Sequence, residues 1–131
     1  MVLLILAGSA GGYWIYEAWP PTLPELPTVD LDGVDPEVAE AITAARAAVV
    51  AKPRSLEAWA RLAMTLDAHH YPTEAVICYS AASALDRSNP LWPYLQGTLL
   101  QSGSNPESAL PALERAARVA PRDSPMPRLR W

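Results

Sequence analysis

Few side chains in this sequence could ligate a metal, attack a substrate or move a proton, and their spacing limits what each could do. His69 and His70 are its two histidines. Adjacent positions on a helix face different ways, and no cysteine or further histidine lies near them, so the pair does not read as a metal site. An imidazole at a helix end has a plainer use, facing the last carbonyls. Cys78 is the single cysteine, which excludes an intrachain disulfide and a multi-cysteine zinc site. It stands beside an apolar stripe and reads as a buried, inert thiol. Asp30-x-Asp32-Gly33-x-Asp35 has the opening of an acidic calcium loop but lacks the distal Glu and the full spacing, so its acids read as linker acids. No Gly-rich phosphate loop is present, and no serine sits in a recognisable nucleophile turn. The expectation is a chain that is not an enzyme, with no catalytic residue, no cofactor and no bound metal.

What remains is surface, and surface needs elements to present it. Ala and Leu are prominent and half of the residues are apolar, a composition that leans towards helix. Asp35-Pro36-Glu37 has the order of a helix start: a capping acid, a proline in the first turn, a second acid. That helix is expected to run to about Lys52, before Pro53. Ser55 caps a second helix carrying Leu56, Trp59, Leu62, Ala63 and Leu66 at helical spacing and ending near His69-His70. Pro72-Thr73-Glu74 opens a third with Ala75, Tyr79, Ala82 and Leu85 on one face. Asn89-Pro90 opens a fourth with Leu95, Leu99 and Leu100. Asn105-Pro106-Glu107 opens a fifth with Ala109, Leu113, Ala116 and Val119, and Ser124-Pro125 starts a sixth that Trp131 cuts off.

The first 35 residues differ from this. Residues 2–16 carry no charge, and residues 2–19 as a helix would span roughly 27 Å, slightly short of a bilayer core. Tyr13, Trp14, Tyr16 and Trp19 gather where an interfacial aromatic belt would lie, and Pro20-Pro21 stop the helix. An uncleaved single-pass membrane anchor is the leading reading of residues 1–19. A cleaved signal peptide and a buried structural segment are the alternatives. Ser9 stands where the lipidated cysteine of a lipobox must be, which rejects a lipoprotein. Residues 20–35, rich in proline and acids, read as a semi-extended linker of polyproline character that holds a domain away from the membrane. All ten Lys and Arg lie at or after Arg46, whereas seven acids precede it. The part after that point has a small positive excess spread over several helices, which is not a nucleic-acid stripe.

A shift of 34 residues superposes the helical part on itself. Ala75 falls on Ala109, Tyr79 on Leu113, Ala82 on Ala116, Leu85 on Val119 and Leu66 on Leu100; backwards, Ala75 meets Ala41 and Ala82 meets Ala48. Two helices per 34 residues is a specific signature. Trp59-x-x-Leu62-Ala63 followed by Ala75, Tyr79, Ala82 and Leu85 resembles a tetratricopeptide repeat. Arg87 replaces the proline that usually closes the unit, while Pro53 and Pro121 hold the equivalent places. In the second unit Pro93 stands where the bulky residue belongs, flanked by Trp92 and Tyr94, which suggests a helix rotated or offset by a residue.

The resemblance implies an all-α fold, a TPR-like α-solenoid of antiparallel helix pairs preceded by the hydrophobic helix and the Pro-rich linker. Residues 36–131 divide into a leading helix (36–53), two repeats (56–89 and 90–123) and a truncated repeat start (124–131). It also implies a groove lined by the first helix of each pair, here Glu57, Arg61, Met64, Asp67, Tyr94, Thr98 and Gln101, taking a protein or peptide partner. Arg61 would hold a carboxylate and Tyr94 would stack on the peptide. The functional expectation is a membrane-tethered interaction scaffold with its repeats outside the cytoplasm and no nucleic acid or small-molecule substrate. The alternatives are an accessory or regulatory segment of a larger enzyme, or an assembly factor for an exported complex of the cytochrome c assembly kind.

Overall fold

The computed structural model describes residues 21–103 and 106–122. The anchor at 1–19, Asn105 and the sixth helix at 124–131 lie outside the described residues. Among the described residues five α-helices follow one another: α1 (Pro36–Ala51), α2 (Leu56–Ala68), α3 (Pro72–Leu85), α4 (Leu91–Ser102) and α5 (Ala109–Val119), with a 3₁₀ turn at Pro106–Ser108 before the last. Among the described residues there is no strand, so the fold is all-helical.

Local chemistry sets the helix ends. The Asp35 carboxylate accepts the Glu37 N–H at 2.9 Å, and the Ser55 hydroxyl accepts the Ala58 N–H at 3.2 Å. Each satisfies one of the donors that a first turn leaves open. At α4 the side chain of Asn89 accepts from the Leu91 N–H at 3.0 Å. The fifth helix starts later than Pro106. Pro111 has no N–H to give to the carbonyl of Glu107, and its ring would crowd that carbonyl in an α-helix. The chain therefore takes a 3₁₀ turn first, and α5 begins at Ala109 with Pro111 in its first turn.

The end of α2 uses an unusual residue. The Tyr71 N–H reaches the Leu66 carbonyl at 2.9 Å and the His70 N–H reaches that of Asp67 at 3.2 Å. This is the paired hydrogen bonding of a Schellman motif, which needs a left-handed residue after the cap. His70 supplies it at φ 65°, where glycine is the usual choice.

Each helix packs on its neighbours in sequence: α1 on α2, α2 on α3, α3 on α4 and α4 on α5. Among the described helices no other pair is in contact. The core runs through Ile42, Ala45 and Val49 of α1, Trp59, Leu62, Ala63 and Leu66 of α2, and Ala75, Cys78, Tyr79 and Ala82 of α3, and reaches Trp92 of α4. Beyond it Leu113 and Ala116 of α5 are buried as well. Tyr79 and Trp92 stack with ring centres 6.5 Å apart. Two indoles are pinned in the same way, each donating six residues back: Trp59 Nε1 to the Pro53 carbonyl at 2.7 Å and Trp92 Nε1 to Asp86 at 3.0 Å.

Burial follows the 34-residue shift where the helices are paired. Ala75, Cys78, Tyr79 and Ala82 are buried, and so are Ala109, Ala112, Leu113 and Ala116. Ala58, Trp59 and Ala63 match Trp92, Pro93 and Gly97, all buried. The fourth helix thus keeps the burial register of the second, and the large and small residues exchange places within it. The leading helix does not follow the same shift. Ala41 is exposed, and the buried set of α1 is Ile42, Ala45 and Val49. Those positions fall on Ala75, Cys78 and Ala82 at a shift of 33.

Residues 21–34 have no helix, as a linker should, but they are docked rather than free. Leu23, Leu26, Val29 and Leu31 pack against the core. Thr22, Glu25 and Thr28 are exposed while the residues between them are half-buried. That spacing of three matches the three residues per turn of a polyproline helix. One ridge, Leu23, Leu26 and Val29, meets the helices; the exposed ridge meets water. Along the third, the Pro21 carbonyl accepts from Arg54 at 3.0 Å and the Pro27 carbonyl from Arg46 at 3.1 Å. The strap therefore runs antiparallel to α1. It turns back at Leu31–Val34 through a hydrogen bond of 3.2 Å, with Gly33 at φ 73°, a conformation that side chains disfavour.

Candidate functional site

Among the described residues two clefts stand out on the helical surface. The first, about 560 Å³, is lined by Ala41 of α1, Glu57, Ala60, Arg61, Met64, Thr65 and Ala68 of α2, and His69 at the α2 end. Its position follows from the helix. Glu57, Arg61, Met64 and Ala68 recur at three- and four-residue intervals and share the face opposite Leu62, Ala63 and Leu66, which are buried. Met64 is 46% exposed, a large flexible apolar group left to water. Alanines and Met64 give the cleft an apolar floor, and Glu57, Arg61 and His69 put opposite charges and an imidazole on its rim.

Three of the seven groove residues expected from the sequence, Glu57, Arg61 and Met64, line this cleft together. The other four do not. Asp67 is half-buried and accepts the Tyr79 hydroxyl at 3.1 Å, tying α2 to α3. Burial and the adjacent Asp67 charge push the Tyr79 phenol well above its ordinary range. Tyr94 and Thr98 are half-buried on α4, where the Thr98 hydroxyl donates to the Leu95 carbonyl at 2.9 Å, and Gln101 is exposed at the far end of that helix. The cleft residues missing from the sequence expectation are Ala41, Ala60, Thr65, Ala68 and His69. Small residues carry no signal that separates a cleft floor from a packing face.

The second cleft, about 480 Å³, lies between α3 and α5. It is lined by Ser80, Ser83, Ala84, Arg87, Arg115, Arg118 and Val119. Nothing in the spacing of these residues marks them as a group, because Ser83 and Arg115 are far apart in the chain.

Cys78 has no exposure, and burial pushes its thiol up to about 12, with Arg46 opposing and Glu74 reinforcing the shift. It packs as a small apolar group. Asp30 accepts the Asp32 N–H at 3.0 Å, so this acid shapes the turn after the strap, as Asp35 caps α1. His69 and His70 diverge, one to the cleft rim and one to the left-handed helix end. Among the described residues no three His, Cys, Asp or Glu side chains gather as a metal ligand set, and no helix is long and apolar enough to cross a membrane. No protein-family model and no curated protein matches this chain.

Proposed function

We propose that the helices form a tetratricopeptide-type scaffold that binds an extended segment of a partner protein in the α1/α2 cleft. The observation that carries this reading is the cleft itself, where Glu57, Arg61 and Met64 meet over an alanine floor. An apolar floor with a few polar groups at the rim suits a peptide that buries one or two aliphatic side chains and pairs a carboxylate with Arg61. The recurrence of buried positions at a 34-residue shift supports the repeat reading. The same proposal includes tethering through residues 1–19. With residues 21–34 docked on α1, such a tether would hold the helices close to the membrane surface rather than at the end of a free stalk.

A photo-crosslinking residue placed at Met64, and in a second protein at Gln101, tests the cleft. The reading expects a discrete adduct from Met64 that is lost with Arg61→Glu and kept with Tyr94→Ala. Equal labelling from both positions, or indifference to Arg61→Glu, would refute it. Membrane fractionation tests the tether: a fully soluble chain with its N-terminus intact would rule it out.

A further inference from the structure

The cleft between α3 and α5 has a composition that neither the helix pairing nor the proposed peptide groove explains. Three arginines line it from two directions: Arg87 just after α3, and Arg115 and Arg118 from one face of α5. Among the described residues no acid lines it. Two serines of α3, Ser80 and Ser83, stand on the same face three residues apart. Ser83 is 7% exposed and is the one polar side chain in the buried set of the described residues. Ser83 lies in a run of alanines, Ala81, Ala82 and Ala84, and its hydroxyl and that of Ser80 are the polar groups that α3 brings to the cleft.

A structural explanation covers only part of this. Arg118 lies in the last turn of α5, where a cation favours the helix dipole. Helix C-termini at this cleft contribute roughly half a negative charge each. The two guanidinium groups of Arg115 and Arg118, always protonated, exceed that sum without Arg87. In a chain of net charge −4 this cluster opposes the overall balance, and gathering it against self-repulsion is a cost that an anion would remove. Arg87 makes a further interaction within the chain, so the excess charge lies with Arg115 and Arg118.

We propose that this cleft binds a phosphate oxyanion on a compact ligand, with Arg115 and Arg118 pairing to its oxygens, Arg87 adding charge and the Ser83 hydroxyl donating from the floor. Guanidinium groups match phosphate in paired hydrogen bonds, and serine donates to the remaining oxygens. Among the described residues the lining has no aromatic ring, so the site recognises the phosphate and not a stacked base. The cleft shares no residue with the α1/α2 groove, and its ligand is independent of the partner proposed there.

Titration of the intact chain with inorganic pyrophosphate, with a phosphoserine peptide, and with the same peptide carrying glutamate tests the site at matched ionic strength, read by calorimetry and by amide shifts at Ser83 and Arg115. Saturable binding of pyrophosphate or of the phosphopeptide is the expected result, and the tighter of the two tells a free phosphate from a protein-borne one. The double variant Arg115→Gln/Arg118→Gln should weaken it at least tenfold, Arg115→Lys/Arg118→Lys should weaken it less, and Lys52→Ala, at an exposed base that lines neither cleft, should leave it unchanged. Both arginines are exposed, so circular dichroism of the variants should match the parent. Shifts that follow only ionic strength, equal binding of the glutamate peptide, or an unaffected glutamine variant would overturn the proposal.

Discussion

Replacing Gly97 by alanine sets two known effects against each other, and the structure decides which wins. Gly97 lies in the interior of α4, where alanine is favoured over glycine by about 1 kcal/mol. Propensity alone therefore makes Gly97→Ala stabilising. A Cβ at this position, however, would lie 2.6 Å from Leu113 Cγ and nearer still to Leu113 Cδ2, with the Leu113 backbone nitrogen at 3.4 Å. Leu113 is 3% exposed, so it has little free space to move into, and the α4–α5 contact must open. Overpacking of this kind costs about 1–3 kcal/mol. The sum is a net loss of about 1 kcal/mol, which lowers Tm by about 4–8 °C in a domain of this size. The decisive test is a double-mutant cycle in urea. Leu113→Ala alone should cost about 2–5 kcal/mol by opening a cavity. In that background the clash is gone, so Gly97→Ala should change sign and stabilise by up to about 1 kcal/mol. An increase in stability from Gly97→Ala in the parent chain, or the same effect in both backgrounds, would refute the claim that close helix approach requires glycine here.

Other positions give sharp expectations too. His70→Gly should raise stability by about 1 kcal/mol in thermal melts, because the left-handed conformation that histidine holds at φ 65° costs glycine little. Gln96 occupies the place that Leu62 holds 34 residues earlier, and its Oε1 is buried without a partner; Gln96→Leu should stabilise by about 1 kcal/mol in urea unfolding. Leu26→Thr should loosen the strap, so limited proteolysis should cut within residues 21–34 faster while the helices persist. Cys78 should resist a thiol reagent at pH 8 until the chain unfolds. Its folded pKa lies above the unfolded one, so the stabilisation is complete below about 9.0 and declines as pH rises from there towards about 12. Each unit in that window should cost about 1.4 kcal/mol beyond the response of a Cys78→Ala variant.

The helix starts were readable because they depend on a few neighbouring residues. Asp35, Ser55 and Asn89 each bond a backbone N–H within three positions of themselves, and prolines mark the ends whatever the rest of the chain does. Pro111 shows the cost of reading one signal and passing over another: Pro106 marks the turn, but Pro111 delays the α-helix to Ala109. The 34-residue recurrence was likewise legible, since each repeated residue type reports the packing of its own helix on the next. It did not carry over to α1. A one-residue change of register alters which face of a helix is buried, and two alanines in a run of alanines do not reveal it.

Contacts between distant segments were hidden. Residues 21–34 have the composition of a free linker, and the spacing of Leu23, Leu26 and Val29 acquires meaning only against the face of α1 and the carbonyl partners of Arg46 and Arg54. Of the expected groove, Glu57, Arg61 and Met64 share one helix face and line one cleft, whereas Tyr94, Thr98 and Gln101 lie on α4, outside the lining of that cleft. The arginine and serine cleft joins α3 to α5 across more than thirty positions of sequence. Local hydrogen bonding and periodicity are written into short stretches of chain. Which faces meet, and which charges they bring together, depends on how whole helices pack.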